Sequence, residues 1–352
     1  MTNAATHSLA VNGRTFGTGS HITRIPVTVD LNGGPIELVT HVVVGSRPGP
    51  TLFVSSTLHG GEWTTIDVVR KVLERLEPES LSGALIALPV ANQTAFGKMK
   101  RATPDESDNS DLNRVFPGPE AWITEQIAAT ITRELLSKAD ALIDFHQGTW
   151  GNNFGRVSFG RDFPDPDVAA ASRALAHAFG IPWVRSQTTQ RFPGPGSMMG
   201  YAGTKLGIPG IIGGVGGIGF EADDEAEWVE TNVRGVFNVM RHMGILEGEP
   251  ERVRVLEFTT MLRVNPTIGG FLRPARDDDH LGREVAEGEV LATVTSPYTR
   301  EVLETLTAPV AGYLMYYPRW YPVRPGEWAY GIIQKGHEHT RWVELDGSTV
   351  AA

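Results

Sequence analysis

Between residues 51 and 243 short apolar runs alternate with amphipathic stretches, and this alternation most narrows the folds open to the 352-residue chain. Residues 51–57 read as a buried strand. Residues 64–76 read as a helix, with Ile66, Val69, Val72 and Leu76 on one face. The outline then repeats: strand 83–90, helix 120–138, strand 139–145, helix 169–179, short strands at 181–184 and 207–212, and helix 225–243. Such alternation predicts an α/β fold, a mixed sheet flanked by helices on both faces. Ahead of it, residues 22–44 form two β-rich runs around Asn32-Gly33-Gly34, the pattern of a hairpin. From Arg252 the texture changes to short β-like runs and turns. We therefore expect a catalytic domain over 1–251 and a smaller, all-β C-terminal domain over 252–352, compact as far as residue 338.

Chemistry-bearing residues sit just past two of the predicted strands, where open α/β sheets place their sites. His59-Gly60-Gly61-Glu62 follows the first, and His146 ends the run Ile143-Asp144-Phe145-His146-Gln147-Gly148. Two histidines and a glutamate are the three protein ligands of a catalytic zinc, which keeps a fourth position open. A helix-capping loop, in which Glu62 simply faces the helix start, is the plainer use of the first motif. The second histidine at another strand end favours a metal. Asp144 alternates with His146 and is placed to orient it.

The chain has no cysteine, so any metal is held by His and carboxylate. Its net charge is −10 with scattered basic residues, which argues against nucleic acid but not against a small anionic substrate. No run approaches the roughly 18 apolar residues that span a bilayer. Residues 1–13 lack the basic start and apolar core of a signal peptide. The expectation is a cytoplasmic protein that binds neither nucleic acid nor membrane, with self-association into a homo-oligomer left open.

Further groups lie between the two metal motifs. Asp111-Leu112-Asn113-Arg114-Val115-Phe116-Pro117-Gly118 offers a guanidinium fork for a carboxylate, with an amide beside it. Lys98, Lys100 and Arg101 form a small basic cluster, from which one cation could stabilise an oxyanion. Taken singly, such groups serve more often as structural ion pairs or solvated surface.

These three motifs together resemble the succinylglutamate desuccinylase/aspartoacylase family of the zinc carboxypeptidase-like fold, from about residue 22 to 246. The C-terminal runs Ala308-Pro309-Val310-Ala311-Gly312 and Val323-Arg324-Pro325-Gly326 resemble that family's β domain. The resemblance implies hydrolysis of the N-acyl bond of a small acylated amino acid or amine. It implies Zn2+ on His59, Glu62 and His146. It also implies substrate-carboxylate binding by Asn113 and Arg114, and an oxyanion-stabilising Arg101.

One position departs from the family. After Gly207-Ile208-Pro209, the family carries a glutamate that takes the proton from the attacking water, and here Gly214 stands in its place. Three readings follow. The glycine-rich segment folds back so that Glu221 serves as the base; the metal acts as a Lewis acid in an elimination, making the protein a lyase; or the site binds a small molecule without catalysis. An acidic residue beside a helix start is the ordinary role of Glu221. Residues 191–201, rich in Gly, Pro and Met, could form a pocket wall. Trp150 could line a subsite, although core packing is the commoner use of tryptophan.

Overall fold

The computed structural model describes residues 7–148, 153–188, 194–319, 321–345 and 347–351. Trp150 and residues 191–193 of the expected pocket wall lie outside them. Among the described residues, eleven strands make one mixed sheet. In chain order these are β1 (Gly19–Val29), β2 (Pro35–Val44), β3 (Arg47–Ser55), β4 (Ser82–Leu88), β5 (Ala141–His146), β6 (Val157–Gly160), β7 (Trp183–Gln187), β8 (Gly210–Gly214), β9 (Val255–Phe258), β10 (Thr340–Val343) and β11 (Thr349–Ala351). Their spatial order is β11-β10-β9-β7-β6-β8-β5-β3-β4-β2-β1. The centre is parallel: β8 with β5, β5 with β3, and β3 with β4. The hairpin β1–β2 adds an antiparallel edge, as the run around Asn32 predicts.

Apolar side chains alternate to the two faces and build two cores. On one face Val54, Ile143, Phe145, Val157 and Ile211 pack under Val68, Val69 and Val72 of helix Thr64–Glu74 and Val229, Val233 and Val236 of helix Ala222–His242. On the other, Phe53, Leu142 and Ile212 pack against Ile127, Ala128 and Ile131 of helix Ile123–Glu134. Helix Pro166–Ala178 starts three residues before its apolar pattern, because the Asp165 side chain accepts from Asp167 N and Pro166 fits the first turn.

Two four-stranded antiparallel sheets follow in the C-terminal region, enclosing Leu272, Leu291, Val294, Leu314 and Ile332. The expected β-rich part is there, but 251/252 is not a boundary of the large sheet. Strands β9, β10 and β11 all come from beyond residue 252 and extend that sheet past β7. The reason is geometric: the apolar run of β9 pairs in parallel with β7, so the chain re-enters the first layer before starting the second. Leu256 and Phe258 then share a core with Tyr313, Met315 and Ile333 and join the layers. No described helix is long and apolar enough to cross a membrane.

Candidate metal centre

Strand β3 ends at Ser55, and the backbone then turns through Thr57, a β-branched residue at φ 55°. That left-handed conformation is costly for threonine and persists only when its surroundings hold it. A buried hydroxyl cluster does so: Thr57 Oγ1 lies 3.0 Å from Ser56 Oγ and 3.2 Å from Thr65 Oγ1. Thr65 Oγ1 in turn donates to Glu62 O at 2.5 Å. His59 and Glu62 therefore project from a fixed loop. Gly60 is needed there, since a Cβ would run into the carbonyl of Ala95, whereas Gly61 has room.

His146 arrives from the end of β5, two strand positions after Asp144 and on the same face. His59, Glu62 and His146 are all buried, and one donor atom from each lies within 4.8 Å of the others. Glu62 bridges the two rings: Oε1 is 2.8 Å from His59 Nδ1 and Oε2 is 2.9 Å from His146 Nδ1. The opposite ring nitrogens face carboxylates, His59 Nε2 with Asp111 Oδ1 at 3.0 Å and His146 Nε2 with Asp144 Oδ2 at 3.1 Å. Both Nδ1 atoms thus converge on one point, while an aspartate fixes the tautomer of each ring. This is the usual support of metal-ligating histidines.

The electrostatics fit a cation. Burial pushes Glu62 up, but the two histidines outweigh it and hold its pKa at about 2. Burial pulls His146 down, yet Glu62 and Asp144 raise it to about 10. Three carboxylates around two imidazoles call for positive charge among them. Asp144 Oδ1 is buried without a partner, spare acceptor capacity behind the same ligand. By donor type and convergence, the residues suit Zn2+.

The structure also brings the expected flanking groups to the cluster. Arg101 Nη1 lies 3.4 Å from His59 Nδ1, and its Nη2 donates to Asp111 Oδ2 at 3.1 Å. Burial raises the Asp111 pKa, but His59, Arg101 and Arg114 outweigh this and hold it well below the usual carboxylate range. Asn113 is buried, with Nδ2 3.0 Å from His146 Nε2 and Oδ1 accepting from Met198 N at 2.9 Å. Its amide nitrogen therefore stands beside the His146–Asp144 pair. Arg114 is exposed, and its Nη1 donates to Asn113 O at 2.6 Å. A cleft of about 190 Å³ opens beside the cluster, lined by His59, Glu62, Met99, Arg101, Gln147 and Ile218.

Glu221 is not brought to this cleft. The segment after β8 passes the metal ligands at Ile218 and then turns outward, leaving Glu221 exposed at the N-cap of helix Ala222–His242. Met198 and Met199 of the Gly/Pro-rich segment are core residues rather than cleft lining. Gly214 pairs with His146 in register, so a side chain there would face the metal cluster. That space is filled, because a Cβ at 214 would run into the carbonyl oxygen of Phe154. Sequence reasoning missed two further roles. Asp111 is the outer partner of His59. Gln147 clamps Thr64 Oγ1 (2.6 Å) and Gly217 O (3.0 Å) beside the cleft. For Asp111 the signal was its place at the head of the Asn113–Arg114 motif.

Residues 48–243 match the family described as succinylglutamate desuccinylase/aspartoacylase catalytic domain. A curated relative from Halomonas elongata, N-alpha-acetyl-L-2,4-diaminobutyric acid deacetylase, is 29% identical over 229 residues, 64% of this chain and 64% of the relative's own length. Among solved structures, the product-bound ectoine utilization protein EutE (DoeB) from Ruegeria pomeroyi superposes with a TM-score of 0.77 at 24% identity, covering 93% of this chain and 99% of that one. A Silicibacter succinylglutamate desuccinylase gives 0.79 at 24% identity, covering 95% and 100%.

Proposed function

We propose that this chain, which belongs to the succinylglutamate desuccinylase/aspartoacylase family, is a Zn2+-dependent deacylase that cleaves the N-acyl C–N bond of a small, carboxylate-bearing N-acyl amino acid or amine. The observation that carries this reading is the convergence of His59 Nδ1, His146 Nδ1 and the Glu62 carboxylate, each ring backed by an aspartate. Bound Zn2+ would supply Lewis acidity, polarising the acyl carbonyl and lowering the pKa of the attacking water. Arg101 reaches the metal-facing side of His59 and would stabilise the developing oxyanion. Arg114 and Asn113, whose amide stands beside His146, would receive a substrate carboxylate. The diaminobutyrate relative supports an N-acylated amino acid as the substrate class.

The proton of the attacking water finds no carboxylate at position 214. Asp111 is held deprotonated by its cationic neighbours, which makes it a weak acceptor. This specific observation favours a second reading, elimination at a C–N or C–O bond on the same scaffold. Turnover of a panel of N-acyl amino acids in 18O-labelled water separates the two. A deacylase places one label in the released acid. A lyase yields an unlabelled, unsaturated product. No turnover of any panel member by zinc-loaded protein would sink both.

A further inference from the structure

Arg156 is 2% exposed, yet among the described residues its Nε and Nη1 have no hydrogen-bond partner. A fully buried guanidinium without a counter-charge is rare, because burial is tolerated when the charge is paired. Its position makes the exception informative. Gly214 N donates to Arg156 O at 2.9 Å, and Gly214 pairs with His146, so His146, Gly214 and Arg156 form one row across β5, β8 and the residue that leads into β6. Val157 and Phe159 belong to the core on one face, which turns Arg156 and Ser158 to the other. That other face is the one from which Asp144 and His146 project. With neighbouring strands about 4.8 Å apart, the Arg156 backbone lies about 10 Å from that of His146.

A second cation shares this face. Arg185 pairs in register with Ser158, is half-buried, and donates through Nε to the carbonyl of Thr259 at 3.4 Å. Burial and Arg185 together hold the Arg156 pKa down at about 9 against an opposing contribution from Tyr316. Burial and Arg263 likewise lower Arg185. Among the described residues, Ser158 Oγ on the register partner of Arg185, Thr259 Oγ1 on the residue whose carbonyl accepts from it, and Gln187 Oε1 on the same strand are also buried without partners. The ring of Phe154, 3.9 Å from the Arg156 guanidinium, offers a cation–π contact but no charge balance. The loop is pinned from the C-terminal region, where Tyr317 bonds Asn153 twice. A rigid, polar, doubly cationic cluster with unused donors is what an anion requires.

We infer that Arg156 and Arg185 form an anion subsite, separate from the Arg101–Arg114 side of the metal cluster, that takes a carboxylate of the bound small molecule. The inference rests on reading the cleft as a small-molecule site, but it does not need the deacylase chemistry. Arg156 is a binding residue here. Replacing it by Met removes an unpaired buried charge at similar length.

The test is calorimetric binding of glutarate to zinc-loaded full-length protein, beside thermal melts with and without it. Wild type should bind, and Arg156→Met should weaken binding about tenfold to a hundredfold, the worth of a charged hydrogen bond. The melting temperature without ligand should stay level or rise in the variant, opposite to the loss expected of a structural arginine. Unaltered glutarate affinity in Arg156→Met overturns the subsite. So does an Arg156-dependent stabilisation by chloride or inorganic phosphate that glutarate cannot displace, which would make it an inorganic-anion site. Should Arg156→Met fail to fold, Arg185→Met decides by the same criteria. Arg156-dependent binding without turnover of any acylated substrate would sink the deacylase reading and leave the subsite standing.

Discussion

Restoring a glutamate at position 214 should fail to restore a base, and the reason is steric. A Cβ there would lie 2.7 Å from Phe154 Cδ1 and 2.8 Å from Arg156 O, and closer still to the Phe154 carbonyl oxygen. The obstacles are mostly backbone, so they cannot rotate away. They are also anchored, by Gly214 N to Arg156 O at 2.9 Å and by Asn153 Nδ2 to the Tyr317 hydroxyl at 3.1 Å. Overpacking of this kind costs about 1–3 kcal/mol, and a backbone clash belongs at the upper end. With an unfolding entropy of about 2.1 cal/mol/K per residue, 3 kcal/mol lowers the melting temperature of a chain this long by about 4 °C. Gly214→Ala isolates that steric cost, and Gly214→Glu adds the desolvation of a carboxylate. Differential scanning calorimetry beside a turnover assay reads both. A Gly214→Glu protein that melts like wild type and turns over faster would refute the packing argument.

Asp144→Asn keeps the shape behind His146 but removes its charge, and should weaken zinc binding about tenfold to a hundredfold in a chelator-competition titration; an unchanged affinity would detach Asp144 from the metal. Glu221→Gln should leave turnover within about twofold, because Glu221 is exposed at a helix start and lies outside the cleft; collapse of turnover would show that the loop refolds around substrate. On the sheet's far side, burial raises Glu257, but His177, Arg173 and Arg341 outweigh it and hold its pKa at about 2. A depressed carboxylate contributes stability above its unfolded pKa and loses it as pH falls through the folded one. Glu257→Gln should therefore cost about 3 kcal/mol near neutrality, and the gap to wild type should close between about pH 4.5 and 2. Melts across that window would contradict this if the gap were independent of pH.

The sheet's centre and the metal ligands were legible because both rest on local pattern. An apolar run of five to seven residues ending in a polar ligand reads the same before and after folding, and His59, Glu62 and His146 meet as their strand ends require. Strand β6 was not legible: Val157–Gly160 is four residues long and acquires its identity only by pairing with β8 and β7. The return of β9 and β10 to the large sheet is likewise a long-range pairing, invisible to local texture. Glu221 was misplaced for a similar reason. Glycines at 213, 214, 216, 217 and 219 permit many backbone paths, and the choice among them is made by the contact of Gly148 N and Phe154 N with Gly216 O.

The change at position 214 is best understood with its neighbours rather than alone. A glutamate there would add one negative charge to the row that begins at His146. In this chain that charge is absent, Phe154 occupies the space above the glycine, and the next residue across the row is a buried, unpaired arginine. His59, Glu62, His146 and their aspartates converge regardless of the residue at 214. The row carries no charge one strand beyond His146 and a positive charge two strands beyond it. A row that offered a base would repel a carboxylate; the row found here attracts one. The missing acid and the stranded cation are therefore one feature, and any reaction proposed for the site has to find its proton acceptor without displacing the anion that Arg156 requires.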